Sequence, residues 1–173
     1  MVAAAVILHR TRLPVRIDDS KRLSPRQRAR AFDVILRHAE VGVGIVPAET
    51  IDARNILQAT FLAMRQAVAD LPSAPARVLV DGNAAPPSTV GWEPIVGGDA
   101  TCYVISCASI VAKVVRDRLM EFYHDLNPEY GFDRHKGYGT ALHAGRLQLH
   151  GPSLWHRHSF EPVKYAAAAG PGG

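Results

Sequence analysis

The sequence predicts an α/β fold, and three observations carry that prediction. Short apolar runs such as "VAAAVIL" and "RVLVD" have the length and continuity of buried strands. Between them, Leu57, Phe61, Met64, Val68 and Leu71 recur at helical spacing. The two kinds of segment interleave along the chain, as strands connected by covering helices do. The 173 residues suffice for one domain with a sizeable core, and they hold no internal repeat and no interdomain linker.

The opening "MVAAAVIL" carries no charge and no helix cap, so it reads as a strand already under way. The polar stretch "RIDDSKRLSPRQRARAF" follows. There Ser24 suits an N-cap, Pro25 the first helical position and Gln27 the reciprocal position of a capping box. Ala29, Phe32, Leu36 and Ala39 predict the apolar stripe of that helix. "VGVGIV" predicts a short strand in which Gly42 and Gly44 alternate with Val41, Val43 and Ile45. The 57–71 stripe marks the next helix, which Pro72 and Pro75 close. "RVLVDGN" predicts a buried strand running into a turn, and "WEPIVGGDA" a second one ending at Gly-Gly-Asp. A long helix follows, with Ile105, Ala108, Ala112, Val115, Leu119 and Phe122 on one side and Lys113, Arg116 and Asp117 on the other. "NPEYGFDRHKGYGT" reads as a glycine-rich loop, "ALHAGRLQLHG" as a short helix and "HRHSFEPVK" as an irregular basic end. The last stretch, "YAAAAGPGG", reads as an unstructured tail.

Composition excludes several classes. With 47% hydrophobic and 21% charged residues, the chain is globular rather than disordered. The opening run is shorter than the ~20 apolar residues of a membrane span, and it lacks the basic front of a signal peptide. Cys102 and Cys107 have no metal-ligand or disulfide spacing, so they read as reduced, packed thiols of a cytoplasmic protein. There is no G-x-S-x-G, no P-loop and no dinucleotide-binding glycine motif. The net charge of +4 suits an acidic partner such as nucleic acid without requiring one.

Two aspartates stand out. Asp81 ends an apolar strand, and Asp99 follows another strand after two glycines. Taken singly, Asp81 reads equally as a turn residue and Asp99 as a helix N-cap. Taken together, carboxylates at the ends of strands in an α/β chain can converge where such sheets bind ligands. Carboxylates held close favour a cation between them, and Mg²⁺ or Mn²⁺ prefers oxygen donors. Two are few for a two-metal phosphodiester site, which holds its ions about 3.5–4 Å apart. In "RHKGYGT", His135 and Lys136 could contact phosphate and Tyr138 could stack on a base or sugar. The alternative is a glycine loop whose tyrosine simply packs. In "DDSK", Lys21 could contact phosphate or pair with Asp18 or Asp19 in a solvated cluster. His156 and His158 read as nucleic-acid-facing or surface residues rather than metal ligands.

In order, the stretches "VAAAVIL", "DDSKRLS", "IDARNILQATFLAMRQAV", "VLVDGN", "GGDA", "ASIVAKVVRDRLM", "YGFDRHKGYGT" and "HGPSLWHRHSFEPV" run from residue 2 to about 163. As an ordered set they resemble the bacterial ribonuclease HII family. The resemblance implies a ribonuclease H-like fold, a mixed sheet flanked by helices. It implies an endonuclease that hydrolyses the RNA strand of RNA–DNA hybrids and incises at ribonucleotides embedded in duplex DNA, using Mn²⁺ or Mg²⁺. Asp81 and Asp99 match two of the family's four metal-holding, catalytic carboxylates. Tyr138 matches its junction-sensing tyrosine. Lys21 and Lys113 match basic positions near the site, and Asp117 a structural one.

The family's other Asp-Glu pair lies in a D-E-A-G-R-G-type motif on a first strand, and this sequence does not contain that motif. The resemblance therefore predicts that the first central strand is missing. It predicts a ribonuclease HII-type domain over 1–164, incomplete at its N-terminus, with a flexible tail over 165–173. It also predicts impaired cleavage by the chain as written, or alternatively a non-catalytic remnant that binds hybrids. The remaining expectations are a monomer in the cytoplasm, with no membrane association.

Overall fold

Strand β1 (Val2–Leu8) pairs antiparallel with β2 (Ala39–Ile45), with Val2 opposite Ile45 and Leu8 opposite Ala39. Strand β3 (Arg77–Asp81) pairs parallel with β4 (Gly91–Ile95), with Arg77 opposite Gly91 and Asp81 opposite Ile95. Both pairing senses of a mixed sheet are thus present, as two two-stranded ladders. The computed structural model describes residues 1–87 and 91–169.

Eight helices accompany the strands among the described residues: α1 (Pro25–His38), α2 (Ala48–Arg54), α3 (Ile56–Ala69), α4 (Gly98–Thr101), α5 (Tyr103–Leu126), α6 (Phe132–His135), α7 (Ala141–His150) and α8 (Glu161–Ala169). The residues group into two compact units. The first holds Val2–Val46 and Thr60–Val114; the second holds Met1, Pro47–Ala59 and Val115 onward. The expected domain over 1–164 contains both.

In the first unit, α1 begins with the capping box that the sequence predicts. Ser24 Oγ accepts from the Gln27 N–H at 3.3 Å, and Gln27 Oε1 accepts from the Ser24 N–H at 2.8 Å. Its buried face is Ala31, Phe32 and Ile35, one position round from the expected stripe. Leu36 stays 49% exposed, and Ala39 already belongs to β2.

Helix α3 lies on β2 with its small residues, not its bulky stripe. Ala63 and Ala67 are fully buried, whereas Met64, Val68 and Leu71 line a cavity instead. The glycines of β2 make this approach possible. A Cβ on Gly44 would sit 1.9 Å from the Ala63 carbonyl oxygen, and one on Gly42 would sit 2.1 Å from that of Ala67. The "VGVGIV" alternation is therefore a cleared track for a helix backbone.

The cavity, of about 1000 Å³, is lined by all of β1 and all of β3, and by residues of α3 and α5 that include Met64, Val68 and Ala108. Among the described residues, each of the two strands is paired on one edge only. This explains why β1 is half-buried along its length where its composition predicts full burial.

In the second unit, Ile51, Tyr130, Phe132, Leu147 and Val163 form the buried core. Two expectations are corrected there. The glycine-rich stretch is not one loop, since it folds a 3-10 turn (Pro128–Tyr130) and then α6. The chain end is helical through Ala169, so the expected tail is ordered over 165–169, because alanines favour a helix once Glu161 starts it. Residues 170–173 lie outside the described part.

Replacing Gly44 by alanine should lower stability by about 3 kcal/mol, because backbone, not a yielding side chain, occupies the space. Urea unfolding of Gly44→Ala checks this, and an unchanged midpoint would show that α3 can be lifted off β2 at little cost.

Candidate metal and nucleic-acid site

The strand ends bring Asp81 and Asp99 together. Because β3 and β4 run parallel and in register, both finish on one side, and the Gly82 N–H donates to the Ile95 carbonyl at 3.0 Å to close the pair. The chain leaves β4 through Val96 and turns at Gly97, whose φ of +65° suits glycine. Gly98 lies beside Asp81 of β3 and under Ile105 of α5, whose Cδ1 would lie 2.6 Å from an added Cβ. Asp99, in the first turn of α4, donates its N–H to Asp81 Oδ1 at 3.4 Å. Gly97, not Asp99, is the N-cap of α4, so the simple capping alternative for Asp99 does not hold.

Lys21 joins this pair. Its Nζ donates to Asp99 Oδ2 at 3.2 Å, and that carboxylate raises the lysine's pKa. The ammonium group bonds to Asp99 rather than to Asp18 or Asp19, although the Asp19 charge also raises its pKa. Asp18 is taken by Arg16 at 2.6 Å, a bond that holds its carboxyl below the usual range. The Asp19 carboxylate accepts the Lys21 backbone N–H, at 2.9 Å. Lys21 is 77% exposed and Asp99 only 15%, so the cation is an outward arm on a partly sheltered carboxylate.

Several supporting residues escape the sequence reading. Ser20 is buried and shares a hydrogen bond with Ser109 of α5 at 3.1 Å. Arg28 donates to the carbonyls of Ser20 and Leu23, at 2.9 and 2.5 Å. Together these hold the "DDSK" turn in place. Ser106 Oγ donates to the Asp99 carbonyl at 2.7 Å, fixing α4 from the other side. The available signal was a pair of serines, three apart, in the otherwise apolar first half of α5. Lys113 follows Ser109 by four positions, on the same face of α5.

Tyr138 and Lys136 belong to the second unit. The Arg116 guanidinium lies 4.7 Å from the centre of the Tyr138 ring, and the tyrosine remains 56% exposed. Lys136, in left-handed conformation (φ 49°), gives its ammonium group to Glu121 at 2.6 Å. His135 is buried rather than presented to a ligand, with its ring bonded to the Tyr130 carbonyl at 2.9 Å. His156 is also buried, which corrects the surface role expected for it. Nearby, Asp52 accepts from the His158 and Ser159 N–H groups at 2.8 and 2.9 Å, and from the Ser159 hydroxyl. Burial pushes the Asp52 pKa up, but these donors outweigh it and the net direction is down.

Cys102 and Cys107 are free thiols, and burial pushes the Cys107 thiol up to about 12. Among the described residues, no third His, Cys, Asp or Glu joins Asp81 and Asp99 in a cluster able to hold a metal ion.

A family model described as Ribonuclease HII matches residues 1–163. Among curated relatives, a ribonuclease HII of Rhizorhabdus wittichii is 52% identical over 163 residues, covering 94% of this chain and 81% of its own. The ribonuclease HII of Xanthobacter autotrophicus is 50% identical and that of Parvibaculum lavamentivorans 47%. They cover 95% and 98% of this chain, which spans 66% and 64% of their lengths. Among solved structures, the chain is similar to a crystal structure of ribonuclease H2 from Pyrococcus horikoshii OT3. The TM-score is 0.72 at 21% identity, with 98% of both chains covered. That likeness bears on the fold alone, and it agrees with the ribonuclease H-like architecture.

Asp52→Ala should lower stability by about 2 kcal/mol, the order of magnitude for losing an ionised acceptor that serves several donors. The conservative Lys21→Gln should change it by less than about 1 kcal/mol, since an exposed ion pair contributes little. Urea titration of both variants checks the contrast, and equal losses would contradict it.

Proposed function

This chain belongs to the ribonuclease HII family, and from that premise we propose that it acts on RNA–DNA hybrids and on ribonucleotides embedded in duplex DNA. The reaction is hydrolysis of the phosphodiester bond on the RNA side, with Mn²⁺ or Mg²⁺ as cofactor. The observation that carries the proposal is the meeting of Asp81, Asp99 and Lys21 at the common end of β3 and β4.

The donor set suits the proposed metal in kind. Asp81 and Asp99 offer hard carboxylate oxygens, the ligands a small divalent cation takes. A bound cation would supply Lewis-acid polarisation of the phosphate and a lowered pKa for water. The chain's own residues do the rest. Asp81 holds the first turn of α4 through its bond to the Asp99 N–H, so the two carboxylates keep a fixed spacing. Lys21 neutralises part of the charge on Asp99 and reaches outward, where it can meet a phosphate oxygen. Lys113 and Lys136 are assigned to phosphate contacts as well, and Tyr138 to stacking beside the ribose.

A two-metal centre draws on more carboxylates than this pair. We therefore propose that the 173-residue chain alone binds hybrids but turns them over slowly. The reading of a non-catalytic hybrid-binding protein rests on the same shortage. The proposal includes a monomer in the cytoplasm; none of the described helices is long and apolar enough to cross a membrane.

A duplex with one embedded ribonucleotide tests the proposal. It should be retained in a gel shift by the chain and retained less by Tyr138→Ala. Asp81→Asn should weaken Mn²⁺ binding, followed by calorimetry, by at least about tenfold. Absence of duplex binding by the unaltered chain would refute the reading. Metal affinity equal in Asp81→Asn would remove Asp81 from the site.

A further inference from the structure

Three histidines of the second unit are buried together: His135, His143 and His156 are 6%, 7% and 5% exposed. The rings of His135 and His143 stack 4.2 Å apart and within 12° of parallel. Nothing in the proposed reaction uses them. Their hydrogen bonds nonetheless admit only one arrangement of protons.

Backbone groups of fixed polarity terminate the chain of bonds at both ends. The Tyr138 carbonyl can only accept, so His143 Nδ1, 3.0 Å away, carries a proton. His143 Nε2 is then bare, and it lies 3.0 Å from His156 Nε2, which must donate to it. His156 Nδ1 is bare in turn, and it accepts from the Ser153 N–H at 3.0 Å and stands 2.7 Å from the Ser153 hydroxyl. His135 follows the same logic separately. Its Nδ1 accepts from the Gly137 N–H at 3.1 Å, and its Nε2 donates to the Tyr130 carbonyl at 2.9 Å. Every ring nitrogen is engaged, and every ring is neutral.

Both sets of bonds end on one turn. His143 holds the Tyr138 carbonyl and His135 holds the Gly137 N–H. We infer that His143 and His156 are positioning residues, which hold the turn bearing Tyr138 through an uncharged hydrogen-bonded chain, and that one added proton releases it. This rests on the reading of Tyr138 as a nucleic-acid contact.

An added proton costs the chain one of its bonds. On His143 Nε2 it would face the His156 N–H, donor against donor. On His156 Nδ1 it would displace the Ser153 N–H and leave only the Ser153 hydroxyl, 2.7 Å away, to accept it. Among the described residues, no acid acts on the pair. His135 stacks on His143, while Tyr130 and Phe132 lie over His156, at 5.0 and 5.3 Å between ring centres. His158 follows two residues on, and His150 of α7 meets Tyr130 edge-on. From α5, Arg116 faces Tyr138, and Glu121 is taken by Lys136. From α6, Asp133 lies 3.4 Å from His124. Burial first, and then neighbouring His143, pushes the His156 pKa down to about 4; burial also lowers that of His143.

The sign follows. The folded chain holds His156 neutral where the unfolded chain would protonate it near its ordinary value of about 6.5. Stability from this group is therefore complete above about 6.5 and is lost as pH falls toward about 4.

Long-range nitrogen–proton NMR on the intact chain at pH 7 tests the arrangement. It should show protons on His143 Nδ1, His156 Nε2 and His135 Nε2. On lowering the pH, His156 should titrate about two units or more below 6.5, and the Tyr138 amide and ring signals should shift with the same midpoint. His156→Gln keeps a donor toward His143 but cannot gain a proton, so the Tyr138 shift should disappear. His156→Phe keeps the packing but loses the donor, so the Tyr138 signals should move already at pH 7. Binding of the ribonucleotide-containing duplex should exceed that of Tyr138→Ala at pH 7, with the difference vanishing as His156 protonates.

An opposite tautomer, a His156 midpoint near 6.5, or Tyr138 signals indifferent to that midpoint would each overturn the inference. Absence of duplex binding at pH 7 would instead overturn the proposed function, with the NMR result still deciding the role of the histidines. If His156→Gln fails to fold, the titration of the unaltered chain decides.

Discussion

Parallel pairing of β3 with β4, in a register that sets Asp81 opposite Ile95, is the constraint on which the candidate site depends. Parallel strands end on the same side, and functional side chains of open α/β sheets gather beyond such ends. Here the register does more than aim two aspartates. It brings the chain after β4 back against β3 tightly enough for one carboxylate to accept the backbone N–H of the residue bearing the other. A slip of one residue would turn Asp81 to the opposite face and break that bond. The two glycines of "GGDA" serve the same end, one by its left-handed turn and one by leaving room for the Ile105 side chain beside Asp81.

The second unit fixes Tyr138 by different means. Around Asp81 and Asp99 the important groups are charged and partly exposed, so their interactions depend on the ions near them. Around Tyr138 the important groups are neutral and buried. A buried charge is costly without a partner, whereas a buried neutral ring with both nitrogens bonded carries little penalty. Histidine is the one side chain that can donate at one end, accept at the other and still stack as an aromatic ring. Two in series span the distance from Ser153 to Tyr138 without introducing a charge. The same chemistry makes the arrangement sensitive to acid.

Much of this was legible in the sequence, and the exceptions have physical causes. The capping box of α1 is local, so Ser24, Pro25 and Gln27 sufficed to place it. The α/β class and the convergence of Asp81 with Asp99 follow from strand-and-turn patterns a few residues long. The packing face of α3 is not legible from its stripe, because the most hydrophobic stripe is not always the most buried one. Gly42 and Gly44 remove the bulk of β2, so the helix brings alanines to it, and its larger residues face the cavity instead. The length of the last helix was missed because alanines near a terminus look like a tail until Glu161 and the buried Val163 are seen to anchor it. The histidine chain was illegible for a stronger reason. His135, His143 and His156 are scattered in the sequence, and no local pattern distinguishes a buried ring from one on a basic surface.

Tyr138 shows how the two halves of a residue can be held separately. Its backbone carbonyl accepts from His143, and the Thr140 N–H also reaches it, at 2.8 Å. Its ring is met by Arg116 from α5, 4.7 Å from the guanidinium carbon to the ring centre. The backbone bonds fix where the side chain starts, and the guanidinium favours one orientation of the ring through its attraction to the π face. More than half of the residue is left exposed. A ring steadied on one face by a cation, on a backbone pinned from behind, has lost most of its conformational freedom before any partner arrives. Stacking against a sugar or base would then cost little further ordering. On this argument Arg116 belongs with the histidines as part of what holds the aromatic ring in place, and the exposed tyrosine is a preset surface rather than a flexible arm.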